Sequence, residues 1–409
     1  MHILIIGKSF SGLKKYLVEN GYDYTILQDI LETKYPDKKL KNRVVVDFSN
    51  EAEVLSAVSS INHKKNIDGV TKIYEKYVVW SAVISEFLGL PGMPLSAAEA
   101  CTDKELMRTL FAKCPEKISP DFSIASSEKD IINFSKKHSF PLILKPANLS
   151  KSLLVTKSNN IDELMNNFRK SIELIDEIYN KYASGVKPKM IIEEFLNGPV
   201  FSVDAFVDSK GQPHVLENVV DYQTGYDIGY DDNFHYSRIL PSSLPQDKIN
   251  KIRHVATLGC KSLGMQSSPA HIEIIYTNDG PRIVEIGARN GGYRERMHWL
   301  ANDIDITANA IAISLDQPLD ISPKKNECIG VFELFPKNSG IFECINNEKY
   351  LRSLESFNYL SVKTKTGQFV GKAGDGYKMC AVVILKNKYH NKFKKDMEFL
   401  NNKVSVNTI

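Results

Sequence analysis

Residues 1–95 set a mixed α/β architecture. MHILIIGKSFSG begins with a short apolar run, passes a glycine turn and enters a helical pattern near Leu13. Apolar runs at Tyr24–Leu27 and Val44–Phe48 alternate with helical stretches, and from about Asp320 the chain becomes rich in short strands. Strands that alternate with helices argue for a parallel α/β sheet. The 409 residues are 43% hydrophobic and 25% charged, an ordinary globular composition that excludes disordered and collagen-like classes. At roughly 100–200 residues per domain, this length holds two to four domains.

A helix over about Glu51–Ile61 leads to a fourth apolar segment, Asp68–Ile73. The punctuation Gly89–Pro94 (GLPGMP) places a domain boundary near residue 95. A helix carrying Lys104, Met107, Leu110 and Phe111 then precedes a strand at Pro141–Lys145. A long amphipathic helix follows, from about Ile161 to Ala183, and stops at Gly185. Strands at Met190–Leu196 and Phe201–Val207 flank Asn197-Gly198-Pro199. A polar, aromatic loop (Asp221–Arg238) and a helix near Asp247–Leu263 lead into HIEIIYTNDGPRIVEIGARNGG. The last segment ends in a Lys-rich helix and a short strand at Lys403–Val406. The expected domains are 1–95, 96–319 and 320–409, the first parallel α/β and the last β-rich.

Net charge is +3, too small to advertise a nucleic acid or membrane partner. Six cysteines lie far apart with no CxxC, so neither zinc nor a disulfide framework is indicated. No apolar run approaches the roughly 18 residues of a membrane span, and the opening run is too short for a signal peptide. A soluble cytoplasmic protein is the expectation.

Gly7 and Gly12 follow the first strand, but G-x-G-x-x-G is absent. A Walker A loop ending at Gly7-Lys8-Ser9 would need a glycine where His2 stands. A plain strand-to-helix turn accounts for them better. The strongest chemical signal is the later hairpin. A three-residue loop at Asn278-Asp279-Gly280 would set Thr277 against Pro281 and, counting back, Glu273 against Glu285. Two facing carboxylates about 5 Å apart repel unless a cation lies between them, and magnesium prefers such hard oxygen donors. A one-residue slip would separate the two onto opposite faces. Beyond Glu285, Arg289-Asn290-Gly291-Gly292 offers a guanidinium beside accessible backbone amides, a combination suited to an anion. Lys104, opening a helix, and Lys145, closing an apolar strand, are candidate phosphate contacts.

The order of these segments resembles the ATP-grasp superfamily. It runs Lys104…Met107-Arg108, then Pro141…Lys145-Pro146, then Ile192-Glu193-Glu194-Phe195-Leu196-x-Gly198. His271-x-Glu273 and Glu285-x-x-x-Arg289-x-x-Gly292 complete it. The flanking segments look like those of the biotin-carboxylase-like branch. Glu285-Ile286-Gly287-Ala288-Arg289-Asn290-Gly291-Gly292 is similar to the motif of the L-amino-acid ligases, which join two free amino acids.

That resemblance implies an ATP-grasp fold and an ADP-forming carboxylate–amine ligase acting through an acyl phosphate. Lys104 and Lys145 would hold the α- and β-phosphates, with Ser152 of the flap also on the nucleotide. Glu193, Glu194 and Leu196 would line the adenine, with hinge main-chain groups reading its edge. Glu273 and Glu285 would hold Mg2+, with Mn2+ as a substitute. Arg289 and Gly292 would meet the acyl phosphate and the tetrahedral intermediate, and Glu75 would face the substrate amine. Implied partners are small molecules, ATP and amino acids, with a homodimer as an open arrangement. His271 reads as a hairpin packing residue or one supporting the metal carboxylates from behind.

Three features depart from the family pattern. Val200 stands where a ribose-binding Glu is common, and Asn148–Leu154 is a glycine-poor flap. Gly287 removes a common metal-binding Asn. Two other readings stay open: an ATP-grasp ligase with a sugar-, nucleotide- or peptide-linked acceptor, and a catalytically silent ATP-binding regulatory protein. Asp227, Asp231 and Asp232 of the polar loop read as solvated acids.

Overall fold

The computed structural model describes residues 1–34, 41–149, 153–182, 186–230, 232 and 234–409. The flap residue Ser152, the loop acid Asp231 and the helix-stopping Gly185 lie outside them.

Four strands, β1 (His2–Ile6), β2 (Asp23–Asp29), β3 (Arg43–Val46) and β4 (Gly69–Lys72), form the expected parallel sheet in the order β3-β2-β1-β4. All five residues of β1 are buried, because helices cover both faces of such a sheet. Leu4 and Ile6 pack with Val54 and Val58 on one side, while Ile3 and Ile5 pack with Leu13, Leu17 and the distant Ile311 on the other. The carboxyl ends of parallel strands form a ligand crevice in α/β folds. β4 leads from that edge into Glu75.

β5 (Phe122–Ile124), β6 (Leu142–Pro146), β7 (Thr156–Ser158) and β8 (Met190–Glu194) make an antiparallel sheet ordered β5-β8-β6-β7. Helix Ile161–Tyr182 backs it through Leu164, Phe168 and Ile175.

The largest sheet gathers β9 (Val200–Val207), β10 (Pro213–Val215), β11 (Val220–Thr224), β12 (His235–Leu240), β13 (Ser268–Thr277), β14 (Gly280–Gly287) and β15 (Cys328–Leu334). It continues into the C-terminal segment. Of β16 (Gly340–Asn346), β17 (Phe357–Val362), β18 (Phe369–Val370) and β19 (Ala381–Asn387), β19 and β17 extend it in the order β14-β13-β9-β11-β12-β15-β19-β17. β16, β18 and β20 (Ser405–Thr408) form a small separate sheet. Two expectations need correction. The segment Asp221–Arg238 is not one loop: β11 and β12 pair across it. The final strand is Ser405–Thr408, because Lys403 still belongs to the preceding helix. Among the described residues, no helix is long and apolar enough to cross a membrane.

Candidate active site

Glu273 and Glu285 face each other across the β13–β14 hairpin, but the turn differs from expectation. Thr277 pairs with Gly280 rather than Pro281, leaving a two-residue loop, Asn278-Asp279, with Gly280 at φ 107°. Read from that turn alone, Glu285 would be one residue out of step. Between the pairs Ile274–Ile283 and Glu273–Glu285, β14 carries one extra residue, Val284, as a bulge. The bulge restores the pairing.

A cation already stands beside the carboxylates. Lys104 Nζ lies 3.2 Å from Glu285 Oε2 and donates to the Leu149 carbonyl at 3.2 Å. Lys104 opens helix Lys104–Phe111, whose first turn is capped by the Asp103 carboxylate accepting from the Glu105 and Leu106 amides. Burial pulls the Lys104 pKa down, but Glu285 outweighs it and the net direction is up. The expectation of an unrelieved acidic pair is therefore corrected by a lysine from another element.

Glu273 is held ionised by its neighbours. Burial pushes its pKa up, yet the adjacent His271 ring and the charges of His235 and Arg289 bring it down to about 2. His271 sits two residues earlier on the same face, its Nε2 3.6 Å from Glu273 Oε1 and its Nδ1 2.8 Å from buried Asp204 Oδ1. His298 and Arg294 also approach Asp204, each at 3.4 Å; against the push of burial, His271 above all, and then these two, hold its carboxyl far below the usual range.

Lys145 closes β6 beside β8. Its Nζ lies 2.6 Å from Glu193 Oε2, and Arg108 Nε lies 2.9 Å from Glu193 Oε1. All three side chains are buried. Burial lowers the Lys145 pKa to about 8 even against the Glu193 charge. Strand alternation sends the next residue, Glu194, to the opposite face. There it accepts from the Asp121 amide at 3.2 Å and from Lys117 at 2.9 Å. The two glutamates thus have different surroundings: Glu193 belongs to buried Lys145, Glu194 to the strand edge. Leu196 is half-buried in the hinge that follows. Gly198 crosses the hairpin so closely that a Cβ there would fall 2.2 Å from the Tyr276 carbonyl oxygen.

Glu75, just past β4, and Arg289, just past β14, meet at 2.8 Å. Burial raises the Glu75 pKa despite the opposing pull of Arg289. Gly287 lies against Glu75: a Cβ there would sit 3.0 Å from its Oε2. Gly291 rests on the His271 ring, whereas a Cβ on Gly292 would meet nothing within 4 Å. The structure thus gathers Glu75, Lys104, Glu273, Glu285 and Arg289 around one crevice, with Lys145 and Glu193 linked to it through Arg108, while Gly292 follows three residues after Arg289. Asp204, Arg294 and His235 were not singled out from sequence, and Arg108 entered only as part of the ordered motif, with no role attached. A signal existed for Arg108, since it follows Lys104 by four residues, between the apolar positions Met107 and Phe111.

The donor set fits magnesium. Two carboxylates on partly exposed side chains, 22% for Glu273 and 36% for Glu285, are hard ligands that leave room for water and phosphate.

Residues 138–295 match the ATP-grasp domain family. Alanine–anticapsin ligase of Bacillus subtilis is 26% identical over 252 residues, covering 59% of this chain and 52% of that protein. The chain thus spans about half the length of that curated relative. The L-amino acid ligase of Bacillus licheniformis shares the fold, with a TM-score of 0.78, 19% identity and coverage of 100% of this chain and 98% of that one. So does the biotin carboxylase domain of 2-oxoglutarate carboxylase from Hydrogenobacter thermophilus, solved with MgADP (TM-score 0.69, 14% identity, coverage 99% and 90%). The match to the ATP-grasp family thus falls on residues 138–295, and the chain as a whole shares its fold with these two solved structures.

Proposed function

We propose that this protein is an ADP-forming carboxylate–amine ligase that joins two amino acids. The observation that carries the reading is the convergence of Lys104, of Glu285 and Arg289 at the end of β14, and of Glu75 from three separate segments on one crevice. Lys104 and Lys145 neutralise the phosphates of ATP, the hinge at Glu194–Leu196 borders the adenine, and Glu273 and Glu285 hold Mg2+, which Mn2+ can replace. Bound there, the metal would neutralise phosphate charge. A substrate carboxylate oxygen takes the γ-phosphoryl group and ADP leaves. The amine nitrogen of the second amino acid then attacks the carbonyl carbon, loses a proton and expels phosphate. Arg289 and the Gly292 amide meet the negative oxygen that forms, and Glu75 receives a substrate ammonium. Positioning and charge do the work, with no covalent nucleophile on the protein. ATP and free amino acids place the reaction in the cytoplasm.

The test is phosphate release from ATP with the 20 amino acids, singly and in pairs, followed by hydroxylamine trapping. A hydroxamate of the first amino acid with ADP is expected. AMP and pyrophosphate would overturn the reading, and ATP binding without turnover in any mixture would favour a regulatory protein.

A further inference from the structure

Arg108 is the most deeply buried charge near the crevice, with a fully inaccessible side chain. Its Nη2 donates to the Val284 carbonyl at 2.6 Å, and its Nε donates to Glu193 at 2.9 Å. Val284 is the bulge residue, on the outer edge of the largest sheet, where, among the described residues, no further strand takes its carbonyl. The same edge is fastened one residue earlier, where the Ile283 amide donates to the Ile118 carbonyl at 2.7 Å. Nη1 of Arg108 is buried with no hydrogen-bond partner among the described residues, a cost that an apolar residue would avoid. Something other than packing keeps a guanidinium there.

We infer that Arg108 is a positioning residue. One nitrogen pins the bulge that turns Glu285 toward Glu273, and another fixes the Glu193 carboxylate that orients Lys145. A single planar fork thereby sets the spacing between the metal carboxylates and a phosphate lysine, which lie on different sheets. The inference rests on the proposed nucleotide and metal roles of those residues. Lysine cannot replace the fork: it keeps a charge for Glu193 but cannot also reach the carbonyl in the same geometry.

The experiment compares wild type with R108K and R108M by three readouts. These are Mn2+ binding in the presence of a non-hydrolysable ATP analogue, analogue affinity without metal, and amide exchange along β14. In R108K, metal-free analogue affinity should stay within about threefold, while Mn2+ binding weakens and exchange at 283–286 quickens, each by about tenfold or more. R108M should lose both arms. In both variants exchange in β1 should match wild type. Unchanged Mn2+ binding and β14 exchange in R108K would overturn the inference, as would uniform loss of protection across the chain, which marks a mere packing role. If R108M fails to fold, R108K alone decides. Absence of ligase turnover in wild type would sink the catalytic reading yet leave all three readouts intact. Failure of wild type to bind the analogue would sink the nucleotide reading, and β14 exchange would still test the grip on the bulge.

Discussion

Lys104 Nζ lies 3.2 Å from Glu285 Oε2, so a phosphate-binding candidate and a metal-binding candidate neutralise one another. The pair changes what removing the carboxylate should do. Glu285→Gln relieves repulsion with Glu273 but strands a largely buried ammonium. Because Glu285 is about one-third exposed, the net loss of stability should be about 1 kcal/mol or less. Melting temperature should fall slightly, and Mg2+ should no longer raise it. Phosphate release should drop by at least about 100-fold, as for loss of one oriented electrostatic group. Full activity in this variant, measured by phosphate release, would remove Glu285 from the metal site.

Arg289→Ala should lower turnover by about 10²–10³ while nucleotide affinity changes little, because the charge that Arg289 meets develops in the transition state. Arg289→Lys should recover only a minor fraction, since the planar fork is lost. The variant also strips Glu75 of its 2.8 Å partner. The Glu75 pKa, already raised by burial, should rise further. Steady-state rates at saturating substrates beside a nucleotide titration separate these effects. Near-normal turnover in Arg289→Ala would reduce the residue to a brace for the turn.

The two glycines of the Arg289 loop should part company. An added Cβ at Gly291 would sit 2.4 Å from His271 Nδ1 and 2.7 Å from Arg294 Cγ. Gly291→Ala should therefore cost about 1–3 kcal/mol of stability. Gly292 has open space, so Gly292→Ala should melt like wild type and lose turnover. Thermal melts and rates on both variants are sufficient. A Gly292→Ala enzyme with full turnover would show that this space is not where substrate sits.

Lys145 gives the site a pH dependence. With its pKa lowered to about 8 by burial, it is mostly neutral at pH 9. ATP affinity should fall about tenfold between pH 7 and 9, one pKa unit corresponding to tenfold in the charged fraction. Lys145→Arg should flatten that profile. Stability runs the other way. Folded Lys145 binds fewer protons than the unfolded chain between about 8 and the ordinary 10.5, so wild type should gain stability over Lys145→Met as pH rises through that window. Calorimetric titrations at the two pH values and urea melts across the window check both signs.

Periodic and local features were readable from the chain: the parallel opening sheet, the long helix, and Glu273 opposite Glu285. That last pairing was reached through two compensating differences. The turn is one residue tighter than the three-residue loop expected, and the Val284 bulge adds the residue back. Turn type is a local property that Asn-Asp-Gly leaves ambiguous, whereas the bulge depends on Arg108, which is 176 residues away. Arg108 with Glu193, Lys104 with Glu285 and His271 with Asp204 share this character. Each is a partnership between distant elements, and no spacing rule encodes it.

The largest sheet passes from β12 to β15 without interruption, so the last ninety or so residues (320–409) are stitched to the part of the chain that carries the candidate site by backbone hydrogen bonds. Cutting the chain at residue 319 would bare the β12 edge together with Tyr236 and Ile239, which pack into the C-terminal core. An unpaired apolar edge invites other chains to add strands. A shortened version should therefore precipitate rather than survive as a minimal enzyme. Splitting the molecule for crystallisation or fusion is better attempted in the stretch around Gly89–Pro94, which separates the opening parallel sheet from the rest without severing a strand ladder.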